Sequence, residues 1–151
     1  MSKKNTFFFT PRVAEEICFS WFLLVIRLLF GGLLLMHGIN KFIDFDTLSV
    51  SFPDPLGVGP VYSLSLAIFA EIACSCAFIA GFLFRLSLLP MIITMLVAFL
   101  WVHGGDIHGG ELSFVYLMVF ILLWVTGPGL FSIDKLLFGK AEKPRYSRYF
   151  Y

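Results

Sequence analysis

Residues 17–39 read ICFSWFLLVIRLLFGGLLLMHGI, a run broken by a single charge, Arg27. At 1.5 Å per residue, about 20 apolar residues span the roughly 30 Å hydrocarbon core of a bilayer. This stretch therefore predicts a membrane-crossing helix. Three further runs follow at residues 61–84 (interrupted by Glu71), 86–102 and 112–126. None alternates with period two, as a membrane β-barrel strand would. The chain of 151 residues is 59% hydrophobic and 14% charged, and a water-soluble globule of that size has too little interior to cover so much apolar surface. The expected fold class is an all-α membrane protein, a four-transmembrane-helix bundle.

Turn-forming residues mark the breaks between runs. Asp44, Asp46, Pro53, Asp54, Pro55, Gly57, Gly59 and Pro60 predict a polar loop between the first two spans. Arg85 alone separates the second from the third, so those two should be antiparallel neighbours. Gly104, Gly105, Asp106, Gly109 and Gly110 separate the third from the fourth, and Gly127-Pro128-Gly129 ends the fourth. Pro90 is expected to kink the third span near its start. Residues 130–138 carry apolar positions at helical spacing beside Ser132, Asp134 and Lys135, which predicts a short C-terminal helix lying in the interface. The organisation read from this is an N-terminal segment 1–16, a membrane domain 17–138 and a basic, aromatic tail 139–151. Phe7-Phe8-Phe9 is too short for the apolar core of a cleavable signal, so the first span is expected to stay in the mature chain.

Lysine and arginine in short loops favour the cytoplasmic side. Lys3, Lys4, Arg12, Arg85, Lys135, Lys140, Lys143, Arg145 and Arg148 fall on one side, and Lys41 alone on the other. Both termini are therefore expected in the cytoplasm. Trp21, Trp101 and Trp124 fall near span boundaries, where amphipathic rings prefer to sit. The basic residues form no patch interleaved with stacking aromatics, so no nucleic-acid partner is expected.

Charge inside a span is costly and usually has a purpose. Arg27 and Glu71 each lie ten residues into their spans, entered from opposite sides, which predicts an ion pair near the bilayer centre. Two readings of that pair stand: a register device for helix packing, or a polar point in a binding cavity. A second group lies at the outer ends of the spans: His37, Asn40 and Lys41 after the first, and His103, Asp106, His108 and Glu111 between the third and fourth. All three histidines share one level. A hydrated rim and a polar mouth for a ligand are both compatible with this, and His37, Lys41, His103 and Glu111 are expected to line one cavity. No paired His spacing supports a metal or haem. Cys18, Cys74 and Cys76 include no Cys-x-x-Cys, which argues against thiol oxidation. Small residues at Ala70, Cys74, Ala77 and Gly81, together with Gly31, Gly32 and Gly38, predict close packing of the first two spans.

In this order the motifs resemble the DoxX family. The resemblance rests on Arg27-Leu28-Leu29-Phe30-Gly31-Gly32 with His37-Gly38 and Lys41, on Glu71, and on Gly81-Phe82-Leu83-Phe84-Arg85. It continues with His103, Gly110-Glu111, Thr126-Gly127-Pro128-Gly129, Ser132 and Asp134. The resemblance implies a small four-helix inner-membrane protein with quinone-linked redox work, since a related subunit belongs to a thiosulfate:quinone oxidoreductase. A redox role of this kind would depend on a bound quinone, a partner protein or another cofactor that the sequence leaves unknown, and a homo-oligomer is compatible with it. On that reading Arg27, His37, Lys41, Glu71, His103 and Glu111 are the candidate ligand-binding residues of a quinone-associated redox subunit. The alternative is a non-enzymatic membrane subunit or assembly factor whose buried charges serve packing and partner docking.

Overall fold

The computed structural model describes residues 13–138. The N-terminal residues 1–12 and the tail from residue 139 onward, predicted above as cytoplasmic segments, lie outside the described residues. In chain order the elements are α1 (Val13–Ile43), α2 (Phe45–Ser51), α3 (Pro60–Ala80), α4 (Phe84–Val102), α5 (Ile107–Thr126) and α6 (Ile133–Phe138). No strand occurs among the described residues. Helices α1, α3, α4 and α5 are each long and apolar enough to cross a membrane, so all four predicted spans are present. Their large side chains stay exposed on the outer faces, including Met36, Leu86, Leu122 and Val125, as lipid contact requires.

The boundaries differ from expectation where local turn chemistry misled. Residues 13–16, assigned above to the N-terminal segment, form the first turn of α1. The loop between the first two spans contains α2, which starts where the carbonyl of Asp44 accepts from the amides of Thr47 and Leu48. Helix α5 begins at Ile107, five residues earlier than expected, because Asp106 caps it by accepting from the His108 and Gly109 amides at 3.1 and 3.2 Å. The C-terminal helix is confined to Ile133–Phe138, with residues 127–132 forming an irregular, bent connection. Pro90 lies inside α4, whose α-helical part runs from Phe84 to Val97.

Glycine sets the approach of α1 to α3. A Cβ at Gly31 would lie 2.5 Å from a side-chain carbon of Ile79, and one at Gly38 would lie 2.8 Å from the Glu71 Cβ. The two positions are seven residues apart on one face of α1. Gly32, by contrast, faces open space. Around this contact the core gathers on Phe78, which stacks on Phe84 at 5.4 Å and meets Phe120 edge-on at 5.6 Å. Phe30 of α1 packs against the edge of Tyr116 of α5, which joins the first and last spans.

The turn between α3 and α4 is tight. Gly81 and Leu83 take positive φ of 67° and 44°, the left-handed region that is strained for leucine. Asp134 of α6 holds that conformation from outside: its carboxylate accepts from the Leu83 and Phe84 amides at 2.8 Å each, and its own amide donates to the Gly81 carbonyl at 2.9 Å. The carboxylate thus serves the otherwise unsatisfied N–H groups that open α4, where the helix dipole favours negative charge. Asp134→Ala is expected to destabilise the bundle by about 1–2 kcal/mol, the worth of a helix cap. It should read as a lowered midpoint in detergent unfolding, with Asp134→Asn retaining part of the loss. An unchanged midpoint would show that the turn holds itself.

Candidate functional site

Two of the four spans contain a π-helical turn, Ala70–Cys74 in α3 and Ala98–Val102 in α4. An extra residue in a turn swings the side chains beyond it and is frequent at functional sites. Glu71 lies within the first, and His103 closes the second. Both turns border a cavity of about 560 Å³ between the helices, and its wall includes His37, Lys41, Glu71, His103 and Tyr116. The rest of the wall is mostly apolar, with Leu66, Ile93 and Leu112 among its side chains.

Four of the six candidate ligand-binding residues therefore meet in one cavity: His37 and Lys41 from α1, Glu71 from α3 and His103 from the end of α4. Glu71 is 2% exposed and forms a salt bridge with Lys41 through Oε1, while Lys41 keeps 30% exposure. His37 and Tyr116 lie within electrostatic range of the Glu71 carboxylate. His103 is seated on Gly110, where a Cβ would approach its own Cβ to 2.9 Å. Gly110 is buried and leaves helical geometry at φ −109°, ψ 19°, which bends α5 around the imidazole.

Phe52, Pro53 and Pro55, from the segment after α2, close one side of the cavity. Asp54 pins that segment: its carboxylate accepts from the Ser63 hydroxyl at 2.7 Å and from the Gly59 and Val58 amides at 2.7 and 3.1 Å. The Ser63 hydroxyl, then the backbone amides, hold the Asp54 carboxyl below the usual carboxylate range. The segment is thereby fixed to the start of α3.

The remaining two candidates lie elsewhere. Glu111 is exposed and outside the cavity wall. Because α5 starts at Ile107, Leu112, Ser113 and Tyr116 make its inward stripe, and Glu111 falls about 160° of helical rotation from Ser113 on the helix wheel. Arg27 corrects the predicted ion pair. Its guanidinium donates to four backbone carbonyls: Phe78 at 3.1 Å, Ile79 at 2.6 Å, Pro128 at 2.9 Å and Phe131 at 2.8 Å. It also lies over the Phe84 ring at 5.7 Å. Glu71 takes Lys41 in its place.

The physical reason is register. Gly38 packs on Glu71, whereas Arg27 packs on Gly81, and the eleven residues from Arg27 to Gly38 span about 16 Å of helix. Helix α1 has 31 residues against 21 in α3, so depth counted from the two span ends does not match. The extra length of α1 packs on the turn after α5: Trp21 lies against Phe131 at 4.7 Å, and the Ser20 hydroxyl accepts from the Leu130 amide at 3.2 Å. The acidic group whose charge reaches Arg27 is Asp134.

Cys18 and Cys76 are exposed and Cys74 is buried, all as free thiols. No group of three or more His, Cys, Asp or Glu that could hold a metal ion occurs among the described residues. The cavity wall is largely apolar, with the Lys41–Glu71 pair, His37 and His103 as its charged and imidazole groups.

Comparison with known proteins agrees with this architecture. The family model described as DoxX matches residues 22–104. The chain is 34% identical to the inner membrane protein YqjF of Escherichia coli, over 76% of this chain and 90% of that one. It is 30% identical to an uncharacterized membrane protein of Mycobacterium tuberculosis, over 77% of this chain and 81% of the relative. An uncharacterized protein of Haemophilus influenzae is 26% identical over 80% and 93% of the two chains. No solved structure matches. With its four spans and these relatives, the chain is a multi-pass membrane protein and belongs to the DoxX family.

Proposed function

We propose that the chain is a quinone-associated redox subunit of the inner membrane, with its cavity holding a quinone-type ring. The observation that carries this reading is the convergence of His37, Lys41, Glu71 and His103, from three helices, on one otherwise apolar cavity. A quinone is an apolar ring and tail with two acceptor oxygens. Ligand pockets of this kind are mostly hydrophobic, measure roughly 300–1,000 Å³ and place a few polar groups to fix orientation. Lys41 and His103 supply the donors that a ring carbonyl needs.

We also place both termini in the cytoplasm and the cavity toward the outer leaflet. Arg85 and Lys135 lie at the bundle end formed by the α3–α4 turn and α6, and Lys41 lies away from it, near the C-terminal end of α1, as the positive-inside bias asks. The Escherichia coli relative is named as an inner membrane protein, which supports the same membrane.

One observation favours the second reading, a non-enzymatic subunit or assembly factor. Arg27 spends its donors on the fold's own carbonyls, so one of the two buried charges serves packing.

Purification in mild detergent with mass spectrometry of co-purifying lipids tests the choice, alongside a titration with decyl-benzoquinone. Saturable binding is expected. Lys41→Ala should weaken it about tenfold or more through loss of a charged donor, and His103→Ala about fivefold through loss of one neutral hydrogen bond. A protein that neither carries nor binds a quinone would leave the second reading standing.

A further inference from the structure

We infer that the cavity's ligand presents a hydroxyl donor to Glu71, so that of the two redox states of a quinone-type ring the site selects the quinol. The inference rests on the reading just given and adds to it which form of the ring is held. Glu71 is 2% exposed and lines the cavity. Its Oε1 takes Lys41, and its buried Oε2 has no hydrogen-bond partner among the described residues. Buried polar atoms are paired in the great majority of cases, and an unmet charged acceptor is the most costly exception. The complement that Oε2 lacks is a donor.

The neighbouring charge says what kind of donor. The Lys41 ammonium already balances the carboxylate, so a second cation would leave a net charge inside the bundle. A neutral O–H fits. The terminal torsion of a carboxylate is broad, so Oε2 can turn toward the cavity without moving α3 while the flexible Lys41 side chain follows Oε1. A quinone carbonyl only accepts, and against Oε2 it would set lone pair against lone pair. The quinol donates through its hydroxyl hydrogens and still accepts from Lys41 and His103 with its oxygens. The resulting O–H to carboxylate bond belongs to the charge-assisted class, about twice as strong as a neutral one.

The test uses the full chain in lipid nanodiscs and three probes of one shape. These are decyl-benzoquinone, its hydroquinone kept reduced under nitrogen, and the dimethyl ether of that hydroquinone, which has no donor. The hydroquinone is expected to bind about tenfold or more tightly than either of the others, the worth of one hydrogen bond to a charged group. In Glu71→Gln, confirmed as folded by its detergent-unfolding transition, the discrimination should collapse. The comparison among probes on the unaltered protein decides the matter even if that variant fails to fold. Equal binding of all three, or tighter binding of the quinone, overturns the inference and leaves the quinone reading intact. No binding of any probe overturns both.

Discussion

Arg27→Leu is expected to abolish the folded bundle, or to lower its stability by more than about 4 kcal/mol, a size reserved for the loss of a buried network. The side chain is 1% exposed and its donors reach Phe78, Ile79, Pro128 and Phe131. Each bond to a charged group is worth about 1.5–3 kcal/mol net. The deletion would also leave four backbone carbonyls without their donor. Those of Phe78 and Ile79 close α3, where a cation answers the negative end of the helix dipole. The guanidinium fork can serve several carbonyls in one plane, and an ammonium cannot. Arg27→Lys should therefore keep the charge and recover only part of the stability. Yield of monodisperse protein and the midpoint of detergent unfolding are the measurements. A leucine variant with a near-normal midpoint would remove Arg27 from the centre of this account.

The second large effect is expected at Gly38→Val. A Cβ there would meet the Glu71 Cβ and the Ile72 Cγ1 at 2.8 Å and the Glu71 backbone carbon at 3.0 Å. Backbone cannot yield as a flexible side chain does, so α1 must move away from α3. Overpacking of this kind costs about 1–3 kcal/mol. Because Glu71 and Lys41 sit on the two helices forced apart, binding of quinone-type probes should fall with stability. Gly32→Val is the matched control. Nothing lies within 4 Å of its added Cβ, and valine is a better helix former than glycine, so stability should hold or rise slightly. Similar damage from both substitutions would mean that the glycines act through helix propensity and not through contact.

The spans were legible because bilayer thickness translates into run length. His37, Lys41 and His103 were legible together because they lie at the ends of those runs, but Glu71, read apart from them near the bilayer centre, was not expected on the same wall. Nor was its pairing legible. Glu71 met the wrong cation because depth was counted from span ends of unequal helices, when the register was written in Gly31 and Gly38. Lys41, the lone basic residue of its side, was the signal that could have found the partner. Glu111 was misplaced by a helix start that Asp106 moves five residues upstream. Two features have no side-chain pattern to read at all. The π turns insert a residue without changing composition, and the partners of Arg27 are carbonyls, which every residue has.

The carbonyl cage around Arg27 also fixes an order of events during synthesis. Two of its four partners lie 51 and 52 residues downstream, and the other two 101 and 104 residues downstream. When α1 enters the membrane its arginine has nothing to hold. The helical hairpin of α1 and α3 supplies half of the complement, and the rest arrives only after α5 has emerged from the ribosome. A nascent chain stopped before Pro128 would therefore carry a half-coordinated cation. That is the kind of lesion by which membrane quality control could tell an unfinished molecule from a complete one.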